Sequence, residues 1–319
     1  MTLQQQIRSN RLRSTIVVAG FALLLLLVAG LIGLAFDLSL GALALGAAAV
    51  YGVFALLRSR RMISGFTRAQ ELAPGELVPL RRLVENVSIA AGLAVTPEVR
   101  VVDDPAPNAF AAGLRPQSSY VGVTTGLLRV MPKRELEAVL AHEVSHIRNR
   151  DTYLMTMATV FAGVIALVAD IGFRTLAYGG RSRKAGALVA VLALVGLILA
   201  PYAALLLRMS LSRRREFLAD AGAAELLNDP EAMALALRRL EVDTTTIRYA
   251  EATTAHLWVE SPTERVGSEG AGILEFSSWF NTHPPMRSRI AALEEAGGFR
   301  LPERLAPGEP FAAELSLAG

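Results

Sequence analysis

The chain has no cysteine. No disulfide can brace it and no thiolate can hold a metal ion, so any metal site must be built from His, Asp or Glu. Histidine is scarce as well, with four in 319 residues. A large excess of charge is also missing. The net charge is only +3, which leaves nucleic acid unindicated as a partner. What the chain has in abundance is apolar side chain, at 52% of residues. That is more than an ordinary soluble domain averages, and these residues come in blocks.

Two blocks, Thr15 to Phe36 and Leu38 to Leu57, contain no charged residue and are separated by Asp37 alone. Each is long enough to cross about 30 Å of hydrocarbon at ~1.5 Å per residue. Together they read as a tight transmembrane hairpin. A cleaved leader fits worse, because the apolar core is too long and a second span follows directly. Arg8, Arg11 and Arg13 precede the hairpin, and Arg58, Arg60 and Arg61 follow it. The positive-inside rule then places both ends in the cytoplasm. A second pair of blocks is expected to span at about 152–170 and 186–208. Pro201 kinks the fourth block without forbidding it. The third is closed early by Asp170 and Arg174, and the loop after it carries Arg181, Arg183 and Lys184. Export of that loop runs against the rule, so partial packing of this hairpin on the soluble part is a second reading.

The expected organisation is a transmembrane hairpin over 1–61, a first catalytic part over 62–151, a hydrophobic hairpin over 152–208 and a second catalytic part over 209–319. In the first catalytic part, Leu80, Leu83, Val84 and Val87 recur at helical spacing. "PEVRVVDD" and "SYVGVTTGLL" read as short strands, with a further strand through Ala109 to Ala112. Pro132 stands at a plausible first helical position, ahead of the stripe Leu136, Val139, Leu140, Val144 and Ile147. In the second part a helix passes through Glu216, another starts at Asp229 and Pro230, and a last one runs from about Pro285 to Glu295. Residues 243–280 show no clean period. The architecture is mainly helical with a small sheet.

The helix that follows Pro132 contains "HEVSH", residues 142–146. On a helix, positions i and i+4 lie about 40° apart and ~6 Å along the axis. His142 and His146 therefore face one ion, and Glu143 stands beside it, able to take a proton from a water there. The bland alternative is two polar residues on an exposed helix face. A catalytic zinc needs a third protein ligand. The extended pattern with a downstream Gly and His is excluded, because Asn149 and Thr152 occupy those positions. "RRREFLAD" offers Glu216 as a ligand, and Asp220 four residues on, able to accept from a ligand imidazole N–H. The alternative is a pair of surface acids balancing Arg213 to Arg215. Topology adds a check: a two-pass hairpin between His146 and Glu216 returns both to the same membrane face.

"HEVSHIRNRD", then "EFLAD", then "NTHPP" in this order resemble the HtpX heat-shock proteases and their relatives, the zinc-dependent CAAX prenyl proteases. The resemblance covers most of the chain. It implies an α+β zincin-like metalloprotease domain with transmembrane helical hairpins, an integral membrane gluzincin. It implies one Zn2+ held by His142, His146 and Glu216, with Glu143 as general base and Asp220 supporting a ligand histidine. Asn108, Ala109 and Phe110 match the edge strand to which an unfolded substrate adds. His283 falls where the family keeps a histidine near the site; it is either a donor to the developing oxyanion or a helix-entry residue before Pro284 and Pro285. Arg287 and Arg289 are candidates to pair with acids near the site. Asp151 reads first as a helix-end residue facing the basic run, and second as a support for the site. The implied activity is endopeptidase cleavage of damaged or misassembled membrane proteins at the cytoplasmic face of the plasma membrane, with polypeptides and the lipid bilayer as partners. A scaffold with a relic motif and an ion transporter are the rivals. Against the transporter, the candidate ligands flank the spans and do not lie within them.

Overall fold

The computed structural model describes residues 38–73, 75–161, 213–247, 257–259, 284–303, 305 and 308–316, together with scattered helical residues between 12 and 26. Most of the first expected span, the third beyond residue 161, the fourth span, the basic loop, most of 243–280 and His283 lie outside the described residues.

Helix α1 (Leu38–Leu57) matches the second expected span in its bounds and contains no charged residue. Its side chains Leu43, Val50, Val53, Phe54 and Leu57 are exposed. Counted over the described residues alone, no helix is long and apolar enough to cross a membrane. Helix α2 (Ser59–Thr67) follows and turns Ile63 inward.

A four-stranded mixed sheet comes next. It is formed by β1 (Gln70–Glu71), β2 (Glu98–Val102), β3 (Ala109–Ala112) and β4 (Tyr120–Thr124), in spatial order β1-β2-β4-β3. β2 and β4 run parallel, with Val99 beside Val121. β3 runs antiparallel to β4, with Phe110 opposite Gly122. β3 is therefore an edge strand, and its four residues are all buried. Sequence pattern identified the β2, β3 and β4 segments. It missed the two-residue β1, which is too short to carry a period.

Helix α3 (Val78–Ala90) packs on one sheet face, and α4 (Thr125–Val130) is capped by Thr124, whose hydroxyl accepts from Leu127 N–H. Helix α5 (Lys133–Arg148) carries the HExxH residues, and Pro132 is its N-cap, one position earlier than expected. With ψ at 153° Pro132 is still extended backbone, so the helix starts after it. Helix α6 (Arg213–Leu227) carries Glu216 and Asp220. Helix α7 (Pro230–Val242) begins as expected, the Asp229 side chain accepting from Ala232 N–H. Helices α8 (Met286–Gly297) and α9 (Phe311–Ser316) complete the order.

Two apolar layers meet on α5. Leu136, Val139, Leu140 and Ile147 pack with Val99, Ala109, Ala111, Val121 and Val123 of the sheet. Ala138, Ala141 and Val144 pack with Ala223, Met233, Leu237, Ile290 and Leu293 from the helices beyond. So α5 is sandwiched, and its polar residues His142, Glu143 and His146 are buried with it. Burial of polar groups at this depth is tolerated only when they are bonded. On the sheet's other face Ile63, Val102, Phe110, Tyr120 and Met155 form a separate cluster. Residues 151–161, the start of the third apolar block, are helical and mostly buried. Thr156 Oγ1 accepts from Gly113 N–H at 2.9 Å, tying that segment to the end of β3.

Candidate metal centre

α5 and α6 cross closely where Ser145 meets Gly222. A Cβ on Gly222 would lie 2.7 Å from Ser145 Oγ, so a larger residue would require Ser145 or the helix pair to shift. This approach brings Glu216 to the two histidines of α5. His142 Nε2 and His146 Nε2 are 3.2 Å apart. Glu216 Oε2 lies 3.7 Å from His142 Nε2, and Glu216 Oε1 lies 3.6 Å from His146 Nε2. Ligands about 2.0–2.2 Å from a tetrahedral zinc are roughly 3.3–3.6 Å from one another. The two imidazole nitrogens are at that spacing, and the Glu216 carboxylate turns one oxygen toward each of them at a slightly greater distance.

The other ring nitrogens explain why the Nε2 atoms face inward. His142 Nδ1 is 3.0 Å from Asp220 Oδ1, and His146 Nδ1 is 3.0 Å from Asp151 Oδ2. Each carboxylate accepts an Nδ1–H, which leaves both Nε2 lone pairs aimed at one point beside a carboxylate. Two imidazole nitrogens and a carboxylate at such range suit a cation, a proton on His146 or a metal ion in its place. Among the described residues, His142, His146 and Glu216 form a group able to hold a metal ion, all three buried.

Asp220 is fixed in turn by Arg289. The guanidinium donates to both of its carboxylate oxygens, at 2.8 and 2.6 Å, and is itself fully buried. Arg289 Nη1 also lies 3.5 Å from Glu216 Oε2. Burial alone would raise the Asp220 carboxyl, but the Arg289 charge and hydrogen bonds, with the His142 bond, hold it below the usual carboxylate range. Arg289 is held charged against its own burial by the same acids. Arg287, the other arginine considered, is 86% exposed and pairs with Glu241; it takes no part.

The two candidate ligand histidines differ. Burial pushes His142 below its ordinary value, in spite of Asp220. Burial pulls His146 down too, but the Asp151 hydrogen bond and the Glu216, Asp151 and Glu143 charges outweigh it and push it up to about 9. Glu143 is 2% exposed, and burial pushes it up to about 8, against the lowering effect of the His146 charge.

The structure brings His142, His146 and Glu216 together and sets Asp220 against His142. Asp151 was read first as a helix-end residue; instead it is completely buried beneath His146. The cause is a reversal no periodicity encodes. Arg150 takes a left-handed φ of 61°, rare for a residue with a side chain, and swings Asp151 back under α5. Ala109 and Phe110 fall on β3, and Asn108 immediately precedes it. The Asn108 side chain is turned back, its Oδ1 accepting from Ala109 N–H at 3.0 Å.

Comparison with known proteins agrees with this arrangement. Residues 78–297 match the model of peptidase family M48. A protease HtpX homolog of Limosilactobacillus fermentum is 36% identical over 304 residues, covering 92% of this chain and 99% of the relative. One from Dictyoglomus thermophilum is 37% identical over 299 residues, covering 93% of this chain and 95% of the relative. A crystal structure of S. mikatae Ste24p is a remoter likeness, at 18% identity and a TM-score of 0.44, covering 91% of this chain and 66% of that one. With the match spanning sheet, HExxH helix and third-ligand helix alike, the chain belongs to peptidase family M48 and is a metalloprotease.

Proposed function

We propose that this chain is an integral membrane zinc endopeptidase that cleaves damaged or misassembled membrane proteins at the cytoplasmic face of the plasma membrane. The observation that carries the chemistry is the buried triangle of His142, His146 and Glu216. One Zn2+ held there would supply Lewis acidity to a scissile carbonyl and lower the pKa of a water. Glu143 then takes the proton from the attacking water and passes it to the leaving amine. The apolar surroundings that raise its pKa favour its protonated form, and a nearby cation pulls it back toward the carboxylate. Asp151 and Asp220 keep the two imidazoles in one tautomer throughout. The substrate lies along the outer edge of β3, which Asn108 leads into and which runs through Ala109 and Phe110. An edge reads backbone more than side chain, in keeping with a wide range of unfolded substrates. His283 is assigned to the developing oxyanion on the resemblance alone.

Membrane location is supported by the charge-free blocks, by the Arg residues on both sides of the first pair, and by the exposed apolar side chains of α1. The division into hairpins over 1–61 and 152–208 around a catalytic domain in two parts, 62–151 and 209–319, follows from the same blocks. An even number of crossings between His146 and Glu216 keeps the ligands on one side.

The test uses full-length protein in detergent. Metal analysis is expected to find about one zinc per chain, lost on His146→Ala. Glu143→Gln should keep the zinc and lose roughly 10²–10⁴-fold in casein cleavage. Parental cleavage by Glu143→Gln would remove the base assignment, and a protein that takes up no metal would remove the enzyme reading.

A further inference from the structure

The outer edge of β3 is already partly occupied by the chain itself. Val259 N–H donates to Ala109 O at 3.0 Å, and Trp258 stands opposite Phe110 as an antiparallel bridge. β4 takes the inner edge of β3. Of the outward groups, then, Ala109 O meets residue 259. The next carbonyl, Val259 O, accepts from Arg289 Nη1 at 3.3 Å, from the same guanidinium that holds Asp220.

The side chains are seated as firmly as the main chain. Leu257, Trp258 and Val259 are all buried. The Trp258 ring lies 4.7 Å from that of Phe110 at 62°, an edge-to-face contact. Phe110 has room for this because β4 presents Gly122 beneath it, where a Cβ would be 2.3 Å from the ring. Leu257 and Trp258 share an apolar cluster with Ile63, Val102, Tyr120 and Met155. Trp258 Nε1, however, is buried without a hydrogen-bond partner among the described residues. The seat suits a large apolar ring and offers nothing to the indole N–H. Among the described residues the attachment consists of this bridge and this ladder bond, main-chain pairing of the kind another strand can exchange for.

We propose that residues 257–259 are an internal stand-in for substrate: they hold the β3 position a substrate strand takes, and Trp258 fills a subsite beside Phe110 that admits a large apolar side chain. The folded chain is thus restrained until an unfolded polypeptide displaces its own segment. This rests on the reading that substrate adds at β3.

The chain has two tryptophans, so Trp279→Phe leaves Trp258 as the sole indole reporter in otherwise complete protein. It is titrated, in detergent and with zinc, with a synthetic peptide of residues 253–262 carrying phenylalanine at position 258, and with the same peptide carrying aspartate there. The phenylalanine peptide is expected to shift Trp258 emission to the red and open it to iodide quenching; the aspartate peptide is not. In parallel, Val259→Pro removes the N–H that bonds Ala109. At equal zinc content it should cleave casein about fivefold faster, the equivalent of one lost ladder bond at ~1 kcal/mol. Casein cleavage with unchanged Trp258 emission overturns the stand-in and leaves the protease reading intact. A red shift without cleavage by any form overturns the protease reading and keeps the displacement. Neither signal overturns both. If Val259→Pro does not fold, the emission of the reporter protein decides alone.

Discussion

Asp151 Oδ2 lies 3.0 Å from His146 Nδ1, although the two residues sit on different helices joined by a reversal at Arg150. The contact mirrors the one Asp220 makes with His142 at the same distance. Each of the two histidines thus has its own buried carboxylate, one following it closely in the chain and one brought in by α6.

This pairing predicts the cost of losing either carboxylate. Asp151→Asn should weaken zinc binding by about 10–100-fold, the range seen when the outer partner of a ligand histidine is removed. Asp220→Asn should do the same. Competition against a chelator of known affinity measures both. An unchanged affinity in Asp151→Asn would reduce that residue to a packing role.

Metal binding should depend steeply on pH. His146 is pushed up to about 9 without an ion, and zinc needs the unprotonated nitrogen. Apparent affinity should therefore rise by close to tenfold per pH unit up to about 9, with roughly one proton released per zinc at pH 7. Calorimetry in buffers of different ionisation enthalpy reads that proton.

The metal-free protein should show the opposite trend in stability. The His146 pKa is raised above its unfolded value of about 6.5, so its contribution is present below pH 6.5 and is lost as pH rises through about 9. The Glu143 pKa is raised to about 8, so ionisation favours the unfolded chain as pH climbs from about 4.5 to 8. The melting temperature of chelator-treated protein should fall between pH 6.5 and 9, and added zinc should reverse the fall. A rise across that window would contradict both assignments.

Two arginines two residues apart should behave differently. Arg289→Ala leaves Asp220 buried and uncompensated, an expected loss of about 3–5 kcal/mol. Arg289→Lys keeps the charge but gives up the fork on both oxygens, so it should fold and bind zinc less tightly. Arg287→Ala, at an 86% exposed side chain, should stay within about 0.5 kcal/mol of the parent. Chemical denaturation and zinc titration of the three variants test this.

Gly222 should tolerate no side chain. Gly222→Ala places a methyl 2.7 Å from Ser145 Oγ, and such overpacking costs about 1–3 kcal/mol. Because α6 also carries Glu216, zinc affinity should fall with stability. Ser145→Ala in the same chain removes the closest atom and should recover part of both. Additive losses in the double variant would show that the two positions do not meet.

Much of this was legible before any fold was known. Helical spacing alone aligns His142 with His146 and Glu216 with Asp220, because i and i+4 share a face whatever surrounds them. Alternation and turn residues marked β2, β3 and β4. Residue chemistry limited the metal ligands to His and carboxylate, since the chain has no cysteine. Local rules reach that far because they act over one or two turns of chain.

The remainder depended on contacts between distant segments. That Asp151 belongs to His146 needed the left-handed turn at Arg150; that Arg289 and not Arg287 secures Asp220 needed the packing of α8 against α6. The presence of Leu257–Val259 on β3 has no signature in a stretch without periodicity. Sequence by itself determined which side chains could bind an ion and how each pair is spaced on its helix. Tertiary structure decided which carboxylate serves which imidazole and what covers the edge strand, because those choices are made by close approach between elements far apart in the chain.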